Sequence, residues 1–248
     1  MIPILGIPTY NQPRLLRRCL LSIDHPVGRV VIVDNGGPNP VTKDPAIADF
    51  RFPITNGSLC ISQHDNAGVA ASWNEIIKLY PAAWWLLVND DIEFAPGDLA
   101  KMDAFMTEHP RAACGYANHG ASFWGVTASG IERVGLFDEN IYPAYLEDCD
   151  WSYRADRLLG PHGRMNVPDC HATHGWPAMR GSCTVNATPQ LQAAGSRGHS
   201  GNFNYYQRKW GGVNEHEVFR TPFNDPNWPL WAWKFEPETR ARQRAHGI

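Results

Sequence analysis

Four stretches of this chain place polar or acidic residues where chemistry is done. Ile7-Pro8-Thr9-Tyr10-Asn11 follows an apolar opening. Val31-Ile-Val-Asp34-Asn35 and Trp85-Leu-Leu-Val-Asn89-Asp90-Asp91 are apolar runs that end in carboxylates. Tyr145-Leu-Glu147-Asp148-Cys-Asp150-Trp151 then opens a helical pattern with a Glu-Asp pair. In an α/β sheet, residues that close the strands gather at the carboxyl edge, where ligands bind. One carboxylate at a strand end is ordinary. Several, followed by a Glu-Asp pair at a helix start, point to a site for a charged substrate and a metal.

The elements that must position these residues follow from periodicity. Ile2 to Ile7 reads as a buried strand. Asn11 reads as the cap of a helix running to about Ile23, with Pro13 in its first turn. Buried strands are expected at Val30–Val33 and Trp84–Val88, and a short one at Cys60–Gln63. Asn66-Ala-Gly68 turns into a helix through about Leu79. Helices are expected over Pro96–Glu108, Ser129–Val134 and Glu147 to about Leu159. Strands are expected at Ala112–Ala117 and Ser122–Thr127, with an edge strand at Arg164–Val167. Strands alternating with helices predict an α/β fold, a mainly parallel sheet flanked by helices on both faces. After His174 the pattern weakens into Gly, Pro, Asn and Trp, and only Asn204–Trp210 looks regular.

Composition narrows the possibilities. The 248 residues, 43% of them hydrophobic, suffice for a full core. No internal repeat or clear linker divides them. We expect a single domain over 1–248, with parts at about 1–95, 96–176 and 177–248. The net charge of -3 gives no global field for nucleic acid. The charge is uneven, however. Residues 171–248 hold nine Lys/Arg against five Asp/Glu, and residues 1–170 hold thirteen against twenty. The acidic part carries the proposed metal site, and the basic, aromatic-rich part suits an anionic partner. Six scattered cysteines without a C-x-x-C pair predict reduced thiols. With no signal peptide and no apolar run long enough to span a bilayer, a cytoplasmic location is expected.

In order and spacing, these motifs resemble the family 2 glycosyltransferases of GT-A fold, especially the rhamnosyltransferase-like branch, over roughly residues 2–176. The resemblance implies a role for each motif. Pro8, Thr9, Tyr10 and Asn11 form the first-strand nucleotide loop. Asp34 contacts the base. Asn66 and Gly68 begin the segment beside the nucleotide, which ends at Asn74. Asn89-Asp90-Asp91 stands where relatives carry an Asp-x-Asp metal motif, and Asn89 is a departure from it. Asn89 and Asp90 go to the nucleotide sugar and Asp91 to the metal, although which of the two aspartates touches metal and which the ribose stays open. Gly135-Leu-Phe-Asp-Glu139 and Glu147-Asp148-Cys-Asp150 resemble the acceptor block with its catalytic base. Val167-Pro-Asp to His174-Gly175 resembles the segment that brings a His near the metal, His174 ahead of His171. Asn204 to Gly212 resembles a C-terminal segment of that branch.

The implied chemistry is physically coherent. A sugar nucleotide leaves as a diphosphate that gains charge in the transition state, and a cation held by Asp91 would neutralise it. Oxygen-rich coordination suits Mg²⁺ or Mn²⁺, and a His ligand tilts the choice to Mn²⁺. The acceptor hydroxyl needs a base. Asp148 is the choice, with Glu147 beside it, and one base opposite the leaving group implies inversion. UDP or dTDP sugars are the favoured donors. A glycan is the favoured acceptor and a hydroxylated DNA base the alternative, given Arg197, Arg208, Lys209, Arg240, Arg242 and Arg244. Trp124, Trp151 and Trp176 are candidates for lining the sugar or acceptor site. Two other classes compete. A sugar-nucleotide nucleotidyltransferase would want a Gly-rich basic loop after the first strand, where this chain has Pro-Thr-Tyr-Asn. A non-catalytic sugar-binding module would not need both Asp91 and Asp148.

Overall fold

In a computed structural model of the protein, residues 1–50, 58–117, 120–160, 163–174 and 189–230 are described, with backbone alone for Ala48, His174 and 189–199. The central sheet has seven strands in the order β3-β2-β1-β4-β7-β6-β8. They are β1 (Ile2–Thr9), β2 (Val27–Asp34), β3 (Ser58–Gln63), β4 (Trp84–Val88), β6 (Cys114–Ala117), β7 (Gly120–Thr127) and β8 (Arg164–Asn166). Only β7 runs against the rest, pairing antiparallel with both β4 and β6. The expected mixed, mainly parallel α/β sheet is therefore what forms. β1, β2 and β4 are near-continuous apolar runs because helices cover both of their faces.

Alternation along the strands splits the core into two layers. Ile2, Leu5, Ile7 and Trp84 face α1 (Pro13–Leu21) and α4 (Asp98–Glu108). Ile4, Val31, Val33, Trp85 and Leu87 face α3 (Val69–Leu79) and α6 (Glu147–Leu159). Between these helices come α2 (Pro45–Ala48) and α5 (Ala128–Val134). Gly115 and Gly125 are cross-strand partners, and a Cβ on Gly125 would stand 2.7 Å from the Met106 sulfur. That paired absence of side chains lets α4 lie close on the sheet.

Two expectations need correction. Asn11 does not cap α1. Gln12 holds the cap position, and Asn11 is left-handed (φ 58°). Its Oδ1 instead accepts hydrogen bonds from the backbone and side-chain amides of Asn39, at 2.8 and 2.9 Å. The C-terminal part is also less irregular than its composition suggests. Helix α7 spans Pro189–Trp210, a 22-residue element. Its Gly-Ser-Arg-Gly-His-Ser-Gly run, 195–201, is unfavourable for a helix by propensity, and docking overrides that preference. The docked stripe is Asn202, Tyr205, Tyr206, Lys209 and Trp210, all buried. A two-residue pair missed by periodicity, β5 (Ile92–Glu93) with β9 (Thr173–His174), forms a second small sheet. Among the described residues, no helix is long and apolar enough to cross a membrane.

Candidate active site

The carboxyl edge of β1, β2 and β4 gathers the predicted donor-side residues. Pro8 pairs with Val33 and Thr9 with Asp34 in parallel register. The Thr9 hydroxyl donates to Asp90 Oδ2 at 2.7 Å, both groups buried, and so locks the first-strand loop to the acidic motif. Asp34 is fully buried. Its carboxylate accepts the Gly36 and Thr42 amides at 3.0 and 3.3 Å, closing the loop after β2. Asn66 Oδ1 accepts the Gly68 amide at 2.9 Å, and Asn35 Oδ1 accepts the Ala67 amide at 2.9 Å. Gly68 is left-handed (φ 85°), and a Cβ there would lie 2.8 Å from the Pro143 carbonyl oxygen. The loop before α3 thus presses directly on the loop before α6. Half-buried Tyr10 stands beside the loop after β2, where a Cβ on Gly37 would lie 3.3 Å from its ring, and burial pushes the Tyr142 phenol up.

Asn89 gives a reason for departing from Asp. Its side-chain amide donates to Ser122 Oγ at 3.2 Å and its backbone amide to Ser122 O at 3.1 Å, clamping β4 to β7. A carboxylate has no such donor. Asp90 and Asp91 are both buried. Beneath them lies Cys19, whose thiol is pushed well up by burial and then by the charges of Asp90, Asp91 and Glu93. It is a packed, inert thiol.

The β5–β9 pairing sets Ile92 opposite His174, bringing the backbone of His174 beside the acidic motif. His171 is exposed, and its backbone amide donates to Asp98 Oδ2 at 2.8 Å. The orientation of the His174 side chain lies outside the described residues, as does Trp176. Among the described residues no group of three His, Cys, Asp or Glu side chains gathers. Divalent cations such as Mg²⁺ take oxygen donors and keep several waters, so one or two carboxylates can suffice to hold them. Hard oxygen donors from Asp90 and Asp91 fit Mg²⁺ or Mn²⁺ on those terms.

Across from this edge, α6 begins with Glu147 and Asp148. Glu147 is 6% exposed, and its Oε2 has no hydrogen-bond partner among the described residues. Burial, and then the charge of Asp148, hold its carboxyl well above the ordinary range. Half-buried Asp148 is also raised by burial, while hydrogen bonds from Cys149 pull the other way. The Tyr145 phenol is raised by burial, then by Glu147, then by Asp91.

The sequence profile described as Glycosyl transferase family 2 matches residues 5–170. The chain belongs to that family. No curated protein sequence matches it. Among solved structures, S. aureus TarS 1-349 with UDP-GlcNAc is similar at a TM-score of 0.57 and 14% identity, over 87% of this chain and 74% of that one. The Pyrobaculum calidifontis mannosyltransferase PcManGT with GDP-Man and Mn²⁺ is similar at 0.57 and 16% identity, over 84% and 64%. A further TarS 1-349 structure aligns at 0.55 and 16% identity, and there this chain spans 60% of the length of its relative. These likenesses establish the fold.

Within this family 2 domain, two of the three proposed sugar-facing tryptophans are core. Trp124 is 2% exposed and Trp151 fully buried, with ring centroids 5.5 Å apart in edge-to-face packing. Trp73 and Phe137 complete the cluster, and Trp151 Nε1 donates to Gly135 O at 2.9 Å. Four large rings fill the space between sheet and α6, where burial is worth most.

Lys209, read from sequence as part of a basic face, is 1% exposed. Its Nζ lies 2.6 Å from both Asp138 Oδ2 and Asp150 Oδ1. Asp150 also accepts Arg154 Nε at 3.0 Å and Trp210 Nε1 at 2.9 Å, and Tyr205 OH donates to Asp138 at 2.8 Å. Burial pushes the Asp150 carboxyl up, but Lys209 and Arg154 pull harder, and it ends below its ordinary value. The positions that matter here, 202, 205, 206, 209 and 210, have helical spacing. The polar Asn202 and Lys209 hide the stripe from a hydrophobicity search.

Proposed function

We propose that this chain is an inverting, metal-dependent glycosyltransferase of the rhamnosyltransferase-like branch, working as a single domain. It would transfer a sugar from a pyrimidine nucleotide, UDP or dTDP, to a glycan hydroxyl. The observation that carries the reading is the 2.8 Å hydrogen bond from the Val69 amide to Pro143 O, which ties the Asn66–Gly68 segment to the loop leading into Glu147 and Asp148. It supports a reading in which the acidic motif that would hold Mn²⁺ or Mg²⁺ and the carboxylates that would activate the acceptor serve one site.

Asp91 and His174 would hold the cation, which neutralises the diphosphate as it departs. Thr9 fixes Asp90 for the ribose through its 2.7 Å hydrogen bond. Burial raises both Glu147 and Asp148, and Asp148, the less buried of the two, is the proposed base, with Glu147 beside it. Asp148 takes the acceptor proton as the acceptor oxygen bonds to the anomeric carbon and the bond to the diphosphate breaks. A single displacement of that kind inverts the anomeric centre.

A glycan is preferred over a DNA base because Lys209, one of the basic residues that would meet phosphate, is sealed in an ion-pair cluster. The described cysteines are free, in keeping with a reducing compartment such as the cytoplasm. The test is a thermal-shift screen of UDP, dTDP and GDP sugars with and without Mn²⁺. A donor at ~100 times its Kd adds about 2.7 kcal/mol of stability. Anomeric configuration of the product, read by NMR, then decides inversion. If no nucleotide sugar shifts the melt in Mn²⁺, the reading fails.

A further inference from the structure

The turn that delivers Glu147 and Asp148 is one its own sequence disfavours. Tyr145 and Leu146, the two residues before α6, both adopt left-handed backbone, with φ of 75° and 79°. Bulky side chains avoid this region because their Cβ crowds the backbone there. Such strain persists only where the surroundings over-determine it. Here those surroundings come from α7. Asn202 Oδ1 accepts the Tyr142 amide at 3.0 Å, while its Nδ2 donates to Ala144 O at 2.8 Å and Tyr145 O at 3.2 Å. These three bonds hold one turn from 57 to 60 residues away, through a fully buried side chain. Leu146 O then accepts the Asp150 amide at 2.9 Å, so the turn sets the first turn of α6 directly. Lys209 and Trp210, two turns further along α7, fix the same helix to Asp150.

We propose that Asn202 is a positioning residue for glycosyl transfer: it holds the Tyr142–Tyr145 turn in its left-handed form and so sets where Glu147 and Asp148 meet the acceptor. The assignment rests on the glycosyltransferase reading of this site. The amide is suited to the task because it both accepts and donates. An aspartate of the same shape would accept the Tyr142 amide but set a carboxylate against two carbonyl oxygens. An alanine would lose all three bonds. These three bonds all go to the turn at 142–145 rather than to the loops at Thr9–Asn11 or Asp34–Gly36, so donor binding should be spared.

The experiment compares wild type with Asn202→Ala and Asn202→Asp. It reads kcat, the calorimetric Kd for the donor, and hydrogen exchange of the peptide covering 142–150. A misplacement of about 1 Å at a reacting group costs up to ~10²-fold. We expect kcat to fall by about 10–100-fold, with the donor Kd within about 2-fold of wild type on the same geometric argument. Exchange over 142–150 should quicken while that over β1 and β2 does not. If neither variant folds, Asn202→Gln takes their place; it keeps an amide's donors and acceptor but sets them one methylene out of register with the turn, and the same split decides. Unchanged kcat, or losses of kcat and donor affinity in equal proportion, would overturn the assignment. A wild type without turnover would sink the glycosyltransferase reading instead. In that case unchanged exchange over 142–150 in the variants would still refute the holding role, and faster exchange would support it.

Discussion

Lys209 Nζ lies 2.6 Å from Asp150 Oδ1, and neither side chain is open to water. With Asp138 and Arg154 they form a cluster of two anions and two cations between α6 and α7. Neutralising one member leaves an uncompensated buried charge, which typically costs 3–5 kcal/mol. Lys209→Met should therefore lower stability by about that amount, read as a shift of the urea midpoint at constant slope. Asp150→Asn should likewise lower stability more than turnover. The sign with pH follows from the depressed Asp150 carboxyl. Its contribution is complete above the ordinary aspartate range and is lost as pH falls through the lower, folded value.

Asp148→Asn keeps shape but removes the proposed base. Turnover should fall by roughly 10²-fold or more while donor affinity holds. Because burial raises Asp148, the acidic limb of the kcat/KM profile should sit above the ordinary aspartate range, with activity lost as pH falls through it. A normal acidic limb together with a near-normal Asp148→Asn enzyme would move the base to Glu147.

Glu147→Gln should hurt turnover less and should stabilise the fold. A raised carboxyl means that the folded state binds its proton more tightly than the unfolded chain does. Stability therefore declines as pH rises above the ordinary glutamate value. Glutamine removes that decline, so the gain in melting temperature should appear near neutral pH and vanish below about pH 4. An equal gain at both pH values would show that the effect is not electrostatic.

Asp91→Ala should abolish the ability of Mn²⁺ to strengthen donor binding, and EDTA should reproduce this in the wild type. Thr9→Val removes the 2.7 Å bond to Asp90 and should weaken donor affinity with little effect on the metal response. Calorimetry showing the same donor affinity in EDTA and Mn²⁺ would remove the cation from the mechanism.

Trp151→Phe should cost about 1–3 kcal/mol, from lost volume and the lost bond to Gly135, without changing KM for the acceptor. A raised acceptor KM at unchanged stability would return Trp151 to the cleft.

Much of the frame was legible because buried parallel strands are continuous apolar runs. Trp84–Val88 and the helix from Glu147 to Leu159 fall where periodicity puts them. The positions of Asp34, Asp90 and Asp91 at the sheet edge were legible for a related reason: they close or follow those runs. What escaped was set by tertiary contact. β5 and β9 are two residues each, too short to show a period. Asn11 looked like a helix cap, but its amide serves Asn39 across the loop. Trp124 and Trp151 looked available because tryptophan suits sugar stacking, yet the gap between sheet and α6 absorbed both. Lys209 looked like surface because only the distant partners Asp138 and Asp150 make a buried ammonium tolerable.

The long reach of α7 also bears on how the protein is made. Its contacts to Asp138 and Asp150 join residues 71 and 60 positions apart. Domains assemble as the chain emerges, N-terminal part first. On the ribosome, the strands that carry Thr9, Asp34 and Asp91 are complete well before Asn202 and Lys209 exist. The edge at Thr9, Asp34 and Asp91 is thus built early and the turn at Tyr142–Tyr145 is fixed last. A product stalled or clipped short of residue 202 would keep those strands but lack the three Asn202 bonds to the turn before Glu147 and Asp148.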